Sequence, residues 1–189
     1  MMADLFCRWL RRLLCRPPNR KAGPGMQAII GEVNRALEAE LYYLAVMLSL
    51  SLPDICAALE APTGETTRPQ YMAWCDQWFT GYPDLTSKDL YCLRCGVLHQ
   101  GRLGHKGMQY ARVLFTLPDI VRGNYAHGNV MNDALNLDAI TFCRDMVGCV
   151  MDWYAAKKGD ANVVKNLSRL VQLHENGLSP YITGVPVIA

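Results

Sequence analysis

Charged residues are scarce in this 189-residue chain, and neither sign predominates. Asp, Glu, Lys and Arg together make up 19% of the residues, and the formal net charge is only +2. Proteins that attract nucleic acid through an overall positive field carry a larger excess of Lys and Arg, so such a contact here requires a local patch. Hydrophobic residues, at 51%, are sufficient to build one core at this length.

Several motifs of known chemistry are also absent. The chain has no phosphate-binding G-x-x-x-x-G-K-[ST] loop, no G-x-G-x-x-G fingerprint and no G-x-S-x-G nucleophile elbow. No apolar run reaches the ~18 to 20 residues that cross a bilayer. The apolar stretch from Leu41 to Leu52 is shorter, and we expect Pro53 to end it, which favours a buried core helix.

The cysteines favour a reducing compartment over a disulfide framework. Eight are present, but the chain is neither short nor rich in loops, and most of them lie within apolar helical patterns. Buried free thiols of this kind are typical of intracellular proteins, so we predict a cytoplasmic location.

The first 25 residues differ in character from the rest. Within residues 5–16, six apolar side chains recur at helical spacing opposite four arginines, and Pro17-Pro18 and a Gly/Pro linker follow. This pattern predicts a basic amphipathic helix for peripheral contact with a membrane surface or for docking to a partner, with Cys7 or Cys15 as candidate lipidation sites. A disordered leader and an over-extended gene start are the alternatives. Residues 26–189 are then predicted to form a single helical domain.

Periodicity predicts a mainly α fold. The predicted helices cover residues 27–52, 53–60, 69–79, 86–100, 137–158 and 162–174. Thr86 and Ser87 are candidate caps of the fourth helix, and Gly101 is its expected end. Strand-like segments at 108–117 and within 123–137 predict a small β-hairpin inserted between the fourth and fifth helices. The tail from residue 178 to 189 carries two prolines and is expected to pack as an extended strap.

The fourth helix carries the most informative pattern. Its core stripe is expected to consist of Leu90, Leu93 and Val97. Arg94 and His99 lie about 140° apart on the opposite side, with Tyr91 and Arg102 between them. The helix is therefore predicted to present a guanidinium and an imidazole together on its outer face.

An arginine and a histidine on one surface suit the chemistry of phosphodiesters. Arginine offers a permanently charged planar fork that matches phosphate oxygens, and histidine exchanges a proton near neutral pH. RNA supplies its own nucleophile, the 2′-hydroxyl group. A base beside that hydroxyl and a cation on the phosphate could cleave RNA without a metal.

The segment LRCGVLHQG, residues 93–101, resembles the R-x4–6-H motif of HEPN domains, often written L-R-N-x-x-x-H-x-G. The resemblance implies a helical bundle, commonly a homodimer, in a family that includes metal-independent ribonucleases of toxin–antitoxin and other defence systems. It implies that Arg94 stabilises the phosphate, that His99 is the general acid or base, and that no cofactor or metal is needed. RNA and a cognate antitoxin or effector protein are the implied partners. This sequence departs from the family at Cys95, where a polar residue is usual.

Alternatives to this site remain open. Two further pairs have the motif spacing: Arg122 with His127, and Arg169 with His174. The second is the stronger rival because it lies in a predicted helix, but Leu93 and Gly101 favour the pair Arg94/His99. Both residues could instead be structural, His99 as a helix-end histidine and Arg94 as a solvated side chain or a member of an internal ion pair. Cys92, Cys95 and His99 also have the spacing of a partial zinc site, for which His105 is the nearest fourth ligand, although buried thiols are the preferred interpretation.

The sequence therefore predicts either a metal-independent endoribonuclease or an RNA- or nucleotide-binding HEPN-like domain. In both cases Tyr91 and Arg102 are the expected substrate-binding residues. The alternative is a non-catalytic helical interaction module that residues 5–16 recruit to a membrane surface or a partner. Whether the chain is an enzyme is left open at this point.

Overall fold

Helices dominate the computed structural model, which describes residues 25–103, 107–118 and 126–189. The helices of this part are α1 (Met26–Glu38), α2 (Tyr42–Glu60), α3 (Arg68–Trp78), α4 (Ser87–Gln100), α5 (Ala139–Lys157) and α6 (Ala161–Leu167). The strands are β1 (Arg112–Thr116), β2 (Asn129–Met131), β3 (Ala134–Asp138), β4 (Leu173–His174), β5 (Gly177–Leu178), β6 (Ile182–Thr183) and β7 (Val187–Ile188). The mainly α prediction is confirmed, and the first small sheet does lie between the fourth and fifth helices. The predicted amphipathic helix at 5–16 lies outside the described residues.

The central element is α2, which packs against α1, α3, α4, α5 and α6. Its 19 residues have a mean hydropathy of 1.6, long and apolar enough to span a membrane by length and composition. Half of this segment is buried against the rest of the domain, as expected for a core helix. Around it lie the largest buried side chains, which include Trp153, Tyr71 and Phe142. Tyr71 donates its hydroxyl hydrogen to the carbonyl of Leu50 at 3.0 Å, so its polar end is satisfied inside the core.

The predicted single helix over residues 27–52 is wrong, because the chain breaks between α1 and α2. Glu40 adopts a left-handed backbone conformation with φ of 61°. The N–H of Leu41 then bonds the carbonyl of Ala36 at 2.8 Å, which closes α1 in the manner of a Schellman turn. No glycine marks this break, so the local sequence hides it. The reversal lets α1 fold back and pack on α2.

The prediction that Pro53 ends one helix and begins another is also wrong, since α2 continues through it to Glu60. Proline in a helix interior costs about 3 kcal/mol. The side chains of Leu50, Leu52 and Leu59 on either side are buried, and each such burial contributes about 1.5 to 3 kcal/mol. Tertiary burial of α2 therefore outweighs the local cost of the proline.

The predicted ends of α4 are confirmed. The Thr86 hydroxyl accepts the Asp89 N–H at 3.1 Å and donates to the Asp89 carboxylate at 2.6 Å, which forms a capping box. Asp89 is buried and also accepts the backbone N–H of Gln109 at 3.0 Å. At the other end, Gly101 adopts φ of 63°, and its N–H and that of Arg102 both point to the carbonyl of Gly96. Both ends of the helix that carries Arg94 and His99 are thus defined by hydrogen bonds.

A hairpin forms, but it joins β2 to β3, and the predicted first segment, 108–117, is not part of it. Asn132 and Asp133 both have positive φ, so a tight turn joins β2 to β3 as an antiparallel pair, with Val130 opposite Leu135. We expected segment 108–117 to complete the hairpin, whereas β1 runs parallel to β3 on its other edge. All residues of β3 are buried, and a central strand needs hydrogen-bonding neighbours on both sides.

The predicted last helix, residues 162–174, is longer than the helix α6 that the structure shows. Helix α6 ends at Leu167, not at His174. The buried Asn166 side chain donates to the carbonyls of Leu59 and Ala61, which attaches α6 to the end of α2. Beyond it the chain becomes extended, because Gln172 and Ala189 exchange backbone hydrogen bonds at 2.7 and 3.0 Å. The predicted C-terminal strap is therefore a set of short strand pairs, β4 with β7 and β5 with β6.

Candidate functional site

The inward face of α4 is as predicted. Leu90, Leu93 and Val97 are buried in the common core. Arg94 and His99 lie on the opposite side, and Arg94 reaches the second half of α2. The helix therefore joins the core through one stripe and places Arg94 at the boundary with α2, so that of the predicted pair only His99 is exposed to solvent.

Arg94 forms an ion pair with a residue of α2. Its Nε atom lies 2.5 Å from the Oδ2 atom of Asp54, and the two side chains are 21% and 15% exposed. The pair is thus mostly shielded from water but still reaches the surface. Since Asp54 occupies the Nε edge, the orientation of the guanidinium plane is set by α2 as well as by α4.

Arg94 also contacts His99, five residues further along the same helix. The Nη1 atom of Arg94 lies 3.1 Å from the Nε2 atom of His99. Arginine has donors only, so Nε2 is the acceptor in this hydrogen bond. The imidazole is exposed. The long arginine side chain bridges the 140° between the two positions, and Asp54, Arg94 and His99 form one continuous cluster, here called the Asp54–Arg94–His99 cluster.

Burial and charge shift the pKa values of this cluster. Burial raises the pKa of the Asp54 carboxyl above its ordinary value, although Arg94 and His99 oppose the shift. Burial alone would lower the pKa of Arg94, but Asp54 and Cys95 outweigh it and the net pKa is raised. Arg94 Nη1 lies 3.8 Å from the Cys95 sulfur. The cluster therefore keeps a permanent cation between a shielded carboxylate and an exposed imidazole.

Tyr91, a predicted substrate-binding residue, is partly engaged in packing. Its ring meets that of Tyr71 edge to face at 5.5 Å, and the guanidinium of Arg68 lies 5.2 Å from its centroid. A hydrogen bond with Cys95, followed by burial, raises the pKa of the Tyr91 hydroxyl. Arg68 is exposed at the start of α3, and together with Arg94 it places two cations near Tyr91.

Arg102, the other predicted substrate-binding residue, is exposed just beyond α4. Its backbone is held by the hydrogen bond to the Gly96 carbonyl at 3.1 Å. The position of the Arg102 backbone relative to His99 is therefore defined, while its guanidinium faces solvent. Phosphates flanking a reacting group are natural partners for such an arginine.

The rival pair Arg169 and His174 is not on a helix. Arg169 donates to the carbonyl of Thr63 at 2.7 Å, and His174 lies in β4 opposite Val187. In the remaining pair, Arg122 lies outside the described residues. The Nδ1 atom of His127 accepts the N–H of Asp138 at 3.0 Å, a structural contact at the start of α5.

The partial zinc motif does not bring its donors together in the structure. Cys92 is buried, whereas His99 is exposed and in contact with Arg94. Within the described ranges, no group of three or more His, Cys, Asp or Glu side chains is arranged to hold a metal. His105, the suggested fourth ligand, lies outside those ranges. The six cysteines that the structure describes are free thiols.

An exposed apolar ridge lies beside the C-terminal end of α4. Leu41, Tyr43 and Leu44 are 50%, 50% and 52% exposed. Two open grooves of about 450 Å³ flank this ridge. The first groove lies on the α1 side and is lined by Ala36, Met47, Leu48, Ser51 and Leu98, and the second by Tyr42, Val46, Leu103, Phe115 and Leu117. Leu98 immediately precedes His99 in the chain, but Asp54, Arg94 and His99 themselves line neither of these two grooves.

Sequence reasoning missed Asp54 and Arg68. Asp54 follows Pro53, and this dipeptide was interpreted as a helix start, in which an acidic residue needs no further explanation. Forty positions separate it from Arg94, so only the packing of α2 on α4 brings them together. Arg68 lies at the beginning of α3, where its sequence context gives no sign of the Tyr91 ring.

Comparison with known proteins assigns no family to this arrangement. No protein-family model, no curated protein and no solved structure matches the chain. The chemistry of the Asp54–Arg94–His99 cluster is therefore the basis on which a function can be assigned.

Proposed function

We propose that this protein is a metal-independent endoribonuclease of the HEPN type, with Arg94 and His99 as its catalytic pair. The observation that carries the proposal is the 3.1 Å contact between Arg94 Nη1 and the exposed imidazole of His99. A cation and a proton acceptor at this separation match the two needs of a phosphodiester beside a 2′-hydroxyl group. Asp54 supports the pair as a positioning residue, because it orients the guanidinium from α2.

The reaction would proceed by attack of the ribose 2′-oxygen on the adjacent phosphorus. A phosphate oxygen that binds Nη1 of Arg94 displaces His99 from it, and the freed Nε2 lone pair takes the proton of the 2′-hydroxyl. The bond from phosphorus to the 5′-oxygen breaks, which leaves a 2′,3′-cyclic phosphate and a 5′-oxygen that must be protonated. The guanidinium stabilises the charge that builds on the phosphate oxygens in the transition state.

A second copy of the chain would complete this site. One histidine can accept the first proton, but a second acid is needed for the leaving 5′-oxygen, and His99 of the partner subunit is suited to that role. The first groove lies next to Leu98, and Leu44 forms the adjacent ridge. Insertion of Leu44 of one copy into the first groove of another, with Tyr43 left uncovered beside the second groove, would be a two-fold symmetric contact that has Leu98, the chain neighbour of His99, at the interface.

The proposed activity is tested with RNA in EDTA. An oligoribonucleotide should be cleaved to products with 2′,3′-cyclic phosphate ends, whereas the same sequence made of 2′-deoxynucleotides should stay intact, because it lacks the nucleophile. Mass spectrometry of the products identifies the cyclic phosphate. Cleavage that stops in EDTA and returns with Mg²⁺, or cleavage that leaves 5′-phosphates, would contradict the proposed mechanism.

The dimer contact is tested by introducing a charged side chain at Leu44. Leu44→Glu should weaken self-association by about 10- to 100-fold, because an unpaired carboxylate would replace a buried apolar side chain. Met151, which is 58% exposed on α5, provides the matched control as Met151→Glu. Analytical ultracentrifugation measures both variants against the wild type. A wild-type protein that is monomeric at concentrations where it cleaves RNA would disprove the need for a second copy.

The exposed ridge also favours a second candidate function, a non-catalytic interaction module. Apolar patches of this kind mark protein-contact surfaces on many domains. In that case the Asp54–Arg94–His99 cluster stabilises the junction of α2 and α4, and RNA stays intact in EDTA. The HEPN resemblance further suggests a defence role with a cognate antitoxin or effector protein as partner, and recruitment by residues 5–16 belongs to the part of the chain outside the described residues.

A further inference from the structure

The second groove has the lining of a site for a flat aromatic ligand. Its volume is about 450 Å³, and the rings of Tyr42, Tyr43 and Phe115 contribute to it together with the apolar side chains of Leu103 and Leu117. Phe115 is held by an edge-to-face contact with Phe142, with ring centroids 5.1 Å apart, so this wall is preformed. Tyr43 is half exposed and therefore available for stacking from the solvent side.

The chain that leaves the end of α4 links the proposed catalytic pair to this groove. His99 lies in the last turn of that helix, and Gly101, Arg102 and Leu103 follow it directly. Leu103 lines the groove, and the Tyr43 hydroxyl lies 4.0 Å from the position that a Cβ on Gly101 would occupy. The turn between His99 and Leu103 is held by the two hydrogen bonds to the Gly96 carbonyl. The backbone that joins His99 of the cluster to Leu103 of the groove is therefore fixed.

The charges along this path suit a nucleotide chain. Arg102 is exposed, and in the chain it lies between His99 and the groove residue Leu103. Glu40, the acidic member of the groove lining, already has an interaction within the protein. Aromatic rings for bases combined with arginines for phosphates are the features by which proteins bind single-stranded nucleic acid.

We infer that the second groove binds an unpaired base of single-stranded RNA, next to the phosphodiester that Arg94 and His99 act on. This inference rests on the proposed function for its orientation, but base binding itself requires only the groove. Tyr43 stacks on the base, Phe115 forms the opposite apolar wall, and Arg102 contacts the phosphate between groove and cluster. Double-stranded RNA is excluded because its bases are already stacked and paired.

The test measures binding separately from cleavage. A fluorescein-labelled octamer of 2′-O-methyl RNA cannot be cleaved, since the nucleophile is blocked, and its binding is followed by fluorescence anisotropy. Tyr43→Ala should raise the dissociation constant about tenfold, as expected for the loss of one base–aromatic stack. Tyr181→Ala is the matched control, because Tyr181 is 84% exposed in the turn between β5 and β6. Tyr43→Phe should bind like the wild type, since stacking needs the ring and not the hydroxyl.

Each outcome has one meaning. Tight octamer binding that depends on Tyr43, together with intact RNA in EDTA, supports the groove and removes the proposed catalysis. Cleavage by the wild type with equal octamer binding by Tyr43→Ala and Tyr181→Ala overturns the groove and leaves the catalysis standing. If Tyr43→Ala changes the sedimentation coefficient but not octamer binding, the groove belongs to a contact between protein chains and the inference is wrong.

Discussion

His99→Ala is expected to lower the rate of RNA cleavage in EDTA by about 10²- to 10⁴-fold, the usual contribution of a general acid or base. The imidazole is exposed and lies outside the apolar core, so the substitution should leave the free energy of unfolding within about 0.5 kcal/mol of the wild type. Loss of activity would therefore reflect lost chemistry and not a lost fold. Initial rates on a fluorogenic oligoribonucleotide and urea unfolding, measured on the same preparations, separate the two.

His174→Ala is the control for this prediction. His174 lies in β4, far from α4 in sequence, and its strand pairing depends on the backbone and not on the ring. This variant should cleave at the wild-type rate. Equal cleavage by the wild type and His99→Ala would remove His99 from the mechanism, and a loss seen only in His174→Ala would move the site to the pair Arg169 and His174.

Asp54→Ala should impair both stability and activity. The substitution leaves the guanidinium of Arg94, which is 21% exposed, without its carboxylate partner. Breaking a shielded ion pair from one side costs about 1 to 3 kcal/mol at this partial exposure, measured as the free energy of unfolding in urea. The rate of RNA cleavage by Asp54→Ala should also be ~10- to 100-fold below that of the wild type, because the guanidinium is no longer oriented beside His99.

Asp54→Asn is the matched control, since its amide oxygen can still accept the hydrogen bond from Arg94 Nε. We expect its free energy of unfolding near pH 7 to lie within about 1 kcal/mol of the wild type. Retained activity in Asp54→Asn with loss in Asp54→Ala would support a positioning role. Equal loss in both would show that the negative charge itself is needed.

The difference in free energy of unfolding between the wild type and Asp54→Asn should depend on pH, in a direction that the pKa of Asp54 sets. Burial raises the pKa of Asp54 in the folded state above 3.8, so the folded protein holds this proton more tightly than the unfolded chain. The contribution of Asp54 to stability is then fully present below about pH 4 and declines as the pH rises through the raised pKa. The wild type should therefore lose stability relative to Asp54→Asn between acid and neutral pH. A relative gain over that interval would mean that attraction by Arg94 outweighs burial.

Helix α4 was predictable because its signals are local. Thr86 and Asp89 are three residues apart, which is the spacing of a capping box, and Gly101 supplies the left-handed residue that ends the helix. The stripe of Leu90, Leu93 and Val97 recurs at helical spacing and is buried as expected. Each of these features depends on residues within one or two turns of each other.

The break at Glu40 and the continuation through Pro53 were not predictable in the same way. Glutamate is an ordinary helix former, yet it takes a left-handed conformation so that α1 can pack against α2. Proline normally ends a helix, yet burial on both sides keeps α2 intact. In both cases a local preference of a few kcal/mol is outweighed by tertiary contacts.

By itself, the amino-acid sequence determined that this protein is mainly helical, where α4 begins and ends, and that Arg94 and His99 lie away from its buried leucine stripe. The tertiary structure alone decided that Asp54 meets Arg94, that Arg94 bridges to His99, and that aromatic side chains from α2 and β1 line a common groove. The physical reason is the separation along the chain over which each kind of interaction acts. Capping and periodicity act over a few residues, whereas an ion pair across 40 positions exists only after α2 and α4 have buried their apolar faces against each other.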